Sequence, residues 1–140
     1  MIRIIQELQS KENPPKFKTG SIISHKIYGY RGVIVHIDPT FRGDENWYLS
    51  NQTQPCKDQS WNFVLVDGNQ QVTYVAEENL YSDISANPVV HPMLNVFFSG
   101  FNNELNKYIR NDVPWNPGAP PDAPPPLPPP SFQPPNPPAF

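Results

Sequence analysis

Cysteine is all but missing. Cys56 stands alone in 140 residues, so this chain forms no internal disulfide and assembles no thiolate zinc site. A reducing compartment fits. Charge is also scarce, at 16% of residues, and the balance is slightly acidic, with a formal net charge of −3. Residues 16–84 carry six basic and eight acidic side chains, which argues against a duplex-binding surface built on clustered Lys and Arg. A smaller basic patch from Lys16, Lys18, Lys26 and Arg31, set against Glu77, Glu78 and Asp83, would polarise the folded unit. No run approaches the ~20 apolar residues that cross a bilayer. Arg3, Gln6, Glu7 and Gln9 interrupt the first ten residues, which therefore do not read as a secretory signal, and a soluble cytoplasmic protein without membrane contact is expected.

Catalytic constellations are missing as well. No phosphate-cradling, nucleophile-elbow, zinc-protease or dinucleotide fingerprint occurs. His25, His36 and His91 lie far apart, with no Cys nearby and no ligand-spaced partner. His36 alternates with Val35 and Ile37 and should face away from both, and His25 is expected to make a structural hydrogen bond. Glu77 and Glu78 are adjacent on a strand end, where their side chains point to opposite faces and cannot work as a pair. No enzyme activity and no cofactor or metal are expected.

The most strongly specified stretch is residues 61–80. Trp61, Phe63 and Leu65 alternate with Asn62, Val64 and Val66, the period of two that divides a strand between core and outer face. Asp67-Gly68 breaks the run, and Val72, Tyr74 and Ala76 resume it, which predicts a β-hairpin ending on an acidic shoulder at residues 77–79. Residues 16–39 add a turn at Thr19-Gly20, a short strand around residues 22–25, punctuation at Gly29 and Gly32, and a β-branched strand over residues 33–37. Four or five short strands joined by tight turns suit an all-β, closed, SH3-like barrel, because closure removes exposed edges.

Around that unit lie four less regular segments. Residues 1–15 carry Ile2, Ile5 and Leu8 at helical spacing and form an arm that docks on the barrel or makes a subunit contact, leaving a homo-oligomer open. Residues 40–59 are long for a connection; Asp44 would cap a helical turn through Tyr48 and Leu49, and Trp47 would cover one barrel end. Within an extension over residues 85–113, Met93, Leu94, Val96, Phe97 and Phe98 predict a short helix stopped by Gly100. Phe101, Leu105, Tyr108 and Ile109 follow without a clear period and are expected to form a lid or an oligomer contact away from water. Fourteen of the twenty prolines fall in residues 114–140, a disordered tail with polyproline II character. It serves as a spacer or, through Pro125-Pro126-Leu127-Pro128, engages a polyproline-binding partner.

Aromatic density points to binding. Tyr28, Tyr30, Trp47, Trp61, Phe63 and Tyr74 exceed what a small barrel interior holds, so some should line a surface groove. The candidate partner-binding residues are His25, Lys26, Tyr28, Tyr30, Arg31, Trp61, Tyr74 and Glu77. Tyr28, Tyr30 and Trp61 alternatively form a cage for a small ligand or a methylated side chain.

The segments KFKTGSIISHKIYGYRGVIVHIDP, WNFVLVD and TYVAEENL, with the Gly-Tyr-Arg-Gly turn and the Tyr-Val-Ala-Glu ending, resemble the HspQ and YccV-like family, the hemimethylated DNA-binding domain. The likeness covers residues 16–80, and residues 91–108 look like the extension of longer members. It implies a small SH3-like barrel without catalytic residues or cofactor. It also implies either DNA binding or a heat-shock role as a quality-control adaptor for a Lon-type protease and its denatured substrates. The module's occurrence in some F-box proteins likewise implies partner recognition during proteolysis.

Overall fold

The computed structural model describes residues 15–85 and 87–115. The expected N-terminal arm, apart from Pro15, and the Pro-rich tail beyond Trp115 lie outside the described residues. Five strands form one antiparallel sheet in the order β4-β3-β2-β1-β5: β1 is Ile22–His25, β2 Arg31–Asp38, β3 Trp61–Val66, β4 Val72–Ala76 and β5 Leu80–Ser82. The predicted hairpin is β3–β4, paired from Trp61 with Ala76 to Leu65 with Val72 and turned at Gly68, whose φ is +89°. The closed barrel is not found. The edge strands β4 and β5 are joined by a 3-10 turn at Glu77–Asn79 but do not pair, so the sheet stays open there.

All six residues of β3 are buried. On one face Trp61, Phe63 and Leu65 pack with Val33, Val35, Tyr74 and Ala76; on the other, Val64 packs with Phe17, Ile23, Ile34, Val75 and Leu80. The alternation therefore assigns the faces correctly, but both faces are covered. In β2 a register shift between Ile34 and His36 leaves Val35 as an extra residue. That bulge overturns the expected side for His36. Val35 joins the Trp61 cluster while Ile37 packs against the other, and the His36 ring lies 6.1 Å from Phe63, on the Val35 side.

Helix α1, Glu45–Ser50, forms where expected because the Asp44 carboxylate accepts from the Trp47 N–H at 3.0 Å. It sets Trp47 against Phe41 and Tyr74, at ring distances of 6.3 and 5.8 Å.

The C-terminal extension differs from its reading. Helix α2 is a single turn, Leu94–Phe97, and Phe98 already opens β6, Phe98–Asn102, so Gly100 lies inside a strand. β6 pairs with β7, Lys107–Arg110, around a loop in which Asn102 Oδ1 accepts from the N–H groups of Glu104 and Leu105 and Asn106 takes φ +55°. This turn is built on asparagines, which tolerate positive φ and bond their own backbone. Phe97, Phe98, Tyr108 and Trp115 close over the Trp61 face, so this segment is a lid, although Val96, Leu105 and Ile109 stay exposed.

The hairpin is tied to the sheet by a bridge between Ser21 and Lys107 and by Tyr108 N–H donating to Gly20 O at 2.9 Å. Gly20 has φ +94°, and a Cβ there would sit 2.0 Å from the Tyr108 carbonyl oxygen. Gly68 has a similar φ with nothing within 4 Å. Gly20→Ala should therefore lower stability by roughly 3 kcal/mol and Gly68→Ala by about 1 kcal/mol, read from urea midpoints. Equal losses would show that the hairpin contact contributes nothing.

Candidate partner-recognition groove

The sequence of the β1–β2 connection, His25 through Tyr30, folds back on its own histidine. His25 Nδ1 accepts from the N–H groups of Ile27 and Tyr28 at 3.0 and 3.1 Å, and Gly29 turns the chain at φ +79°. Burial of the ring lowers its pKa from 6.5 to about 4, so at neutral pH it is an uncharged acceptor. The His25 ring stands 4.8 Å from Tyr28 and 5.1 Å from Tyr30, and the two tyrosines lie nearly parallel, 19° apart in plane. Tyr30 is fixed further by a 2.7 Å hydroxyl contact with Thr73 on β4, and burial raises its pKa above the ordinary phenol value.

These rings form one wall of a small, half-open groove against the edge strand β4. Val75 and Ala76 supply the β4 wall, and Asn51, Gln52, Thr53 and Pro55, after α1, supply the third. Among the described residues no lysine, arginine or carboxylate lines it. Asn51 Oδ1 is a buried acceptor there with no hydrogen-bond partner among the described residues.

Of the sequence candidates, His25, Tyr28, Tyr30, Trp61 and Tyr74 all contribute to this groove. Trp61, however, is only 2% exposed, with its indole N–H donating to the Cys56 carbonyl, which removes the aromatic cage. Tyr74 is also largely core; its hydroxyl donates to Asp38 and accepts from the Arg42 N–H, and burial followed by the Asp38 bond raises its pKa. Lys26, Arg31 and Glu77 are not in the groove wall. The Lys26 ammonium lies over Tyr81, and Glu77 accepts from the Lys16 backbone N–H. Residues 51–53 and Asn79 were missed as candidates. The only signal for the former was the unusual length of the connection.

Arg31 is a structural cation. Its guanidinium pairs with Asp67 at 2.8 Å and Asp83 at 3.0 Å and donates to the Asn87 carbonyl at 2.6 Å. Burial would raise the Asp83 pKa, but hydrogen bonds from Ser85 and Arg31, with the Arg31 charge, outweigh it and hold the carboxyl below its usual value. The expected separation of basic and acidic sides therefore does not occur. β1 pairs with both β2 and β5, which brings Arg31 against Asp83. Among the described residues no group of three His, Cys, Asp or Glu is placed to hold a metal, and no helix is long and apolar enough to cross a membrane.

The His25 shift sets a pH dependence. The unfolded ring takes up its proton near pH 6.5 and the folded ring only near 4, so stability is intact above 6.5 and falls as pH drops between those values. The loss should be on the order of 3 kcal/mol, and His25→Gln should flatten that part of a stability–pH curve. An unchanged slope in the variant would assign the loss to other groups. Arg31→Gln should weaken the fold by on the order of 2 kcal/mol in urea, because it leaves Asp67 and Asp83 unneutralised. A loss under about 0.5 kcal/mol would return Arg31 to the surface cations.

Comparison with known proteins places these features in a family. The family model described as "Hemimethylated DNA-binding protein YccV like" matches residues 15–105. Similar proteins include F-box only protein 21 of Mus musculus, 27% identical over 97 residues, and F-box only protein 21 of Homo sapiens and Pongo abelii, each 29% identical over 89 residues. The mouse alignment covers 66% of this chain and 15% of the relative; the other two cover 61% and 14%. With its family match running from the loop before β1 into the β6–β7 hairpin, the chain belongs to the YccV-like hemimethylated DNA-binding protein family.

Proposed function

We propose that the chain is a non-enzymatic recognition module that binds a polypeptide segment in the groove beside β4. One observation carries this reading: among the described residues the groove is walled by tyrosine, amide and aliphatic groups and has no charged residue in its lining. Such a surface recognises extended peptide by ring stacking and neutral hydrogen bonds, whereas a phosphate backbone calls for clustered cations. Arg31 and Lys57 are engaged by partners on this chain, the latter at the surface over Phe41 and Tyr48 and paired with Glu45. The F-box relatives are several times longer than the aligned region, which supports a module that serves within larger machinery. A quality-control adaptor that presents denatured protein to a Lon-type protease fits this chemistry. In this scheme residues 16–84 are the β-sheet recognition unit, residues 85–113 its lid, and residues 1–15 and 114–140 its appendages.

Binding of hemimethylated DNA is the second reading, favoured by the family description. The two are separated by titrating one preparation with a fluorescent hemimethylated duplex and with a permanently unfolded protein, reduced and carboxymethylated α-lactalbumin. Tyr28→Ala should weaken capture of the unfolded protein roughly tenfold, and DNA binding should be weak with a shallow salt slope. Tight duplex binding that falls steeply between ~50 and ~200 mM salt and ignores Tyr28→Ala would favour DNA instead.

A further inference from the structure

The described fold ends at Trp115, whose ring is packed 5.2 Å from Phe63 and 5.2 Å from Phe97. Phe63 in turn lies 4.4 Å from Tyr74, which contributes to the groove. Trp115, the last described residue, is therefore two ring contacts away from a groove-lining side chain. From Trp115 to Leu127 the Pro-rich segment spans up to about 37 Å in polyproline II form, enough to pass round the β4 edge.

The chemistry matches on both sides. Residues 114–140 contain one charged side chain, Asp122, and residues 124–130 read PPPLPPP. A polyproline II segment repeats every three residues, which puts Pro124, Leu127 and Pro130 on one face. Flat aromatic walls such as Tyr28 and Tyr30 take such a face at low entropic cost, since the ligand is already extended. In residues 124–130 only Leu127 carries a backbone N–H. Asn51 lines the groove, with its own Oδ1 enclosed beneath the surface.

We propose that residues 124–130 of this same chain are the resident occupant of the Tyr28–Tyr30–Asn51 groove, so that the tail competes with any external polypeptide for that surface. This rests on the groove being a peptide-binding site. A tether of this length holds the segment at an effective concentration on the order of millimolar, so a weak contact suffices for occupancy. The protein would then be self-capped, and its capture of partners would depend on displacing its own tail.

Amide spectra of three proteins test this: the full chain, a chain ending after Gly118, which keeps Trp115 in the core, and the full chain with Leu127→Asp. The Ile27, Tyr28 and Asn79 amides should move alike in the shortened chain and the variant, while those of β6 and β7 stay in place. A peptide of residues 119–133 should return the shortened chain to the full-chain positions and should bind the full chain at least about tenfold more weakly. Coincident groove amides in all three proteins would overturn the proposal. So would a displacement that depends on protein concentration, which assigns the groove to a second copy, or a peptide footprint on another surface. If the groove amides coincide but carboxymethylated α-lactalbumin still titrates Tyr28, the tail proposal fails and the groove reading stands. If neither peptide nor unfolded protein reaches Tyr28, both fail.

Discussion

The organising constraint is that β3 has no solvent face. A strand buried on one side needs one cover, but Trp61–Val66 is buried throughout and needs two. The curled sheet and Phe17 cover the Val64 side, while the C-terminal segment covers the Trp61 side. The lid is thus part of the core. Its attachment through Gly20 and Tyr108 follows from the same need, because only a residue without Cβ lets the two backbones approach so closely.

Electrostatics are arranged inward. Arg31 joins β2 to the turn at Asp67 and to Asp83 beyond β5, and Arg110 donates to the carbonyl of the bulged Val35 at 2.9 Å and to that of Val113 at 2.8 Å. Partial burial lowers the Arg110 pKa, against the opposing pull of Asp112. Both guanidiniums hold irregular backbone in place, where a lysine's point charge could not reach several acceptors at once. What remains in the groove lining, among the described residues, is rings, amides and aliphatic groups.

Much of the sheet was legible because its signals are local. The β3–β4 alternation, the Asp67-Gly68 turn, the strand at residues 22–25 and the Asp44 cap each depend on neighbours in sequence. The open edge between β4 and β5 was not legible, since strand count and turn spacing do not determine whether the last pair closes. The β6–β7 hairpin was hidden by an apolar cluster that also suits a helix and by a turn built on asparagines. The bulge at Val35 left no mark in a β-branched run. At the groove, the tyrosines and His25 stood out by composition, but the fate of Arg31 did not, because its acidic partners are 36 and 52 residues away in sequence.

The position of Trp115 also bears on how the molecule comes into being. Its indole completes the aromatic face over Phe63 and Phe97 and is only 8% exposed, although it follows every strand among the described residues. During synthesis β1 to β5 emerge first, and until this last ring arrives the nascent sheet presents an uncovered hydrophobic surface. Maturation is therefore gated at its C-terminal side, and the interval before closure is when the chain is most exposed to chaperones, to proteases and to other unfinished copies of itself.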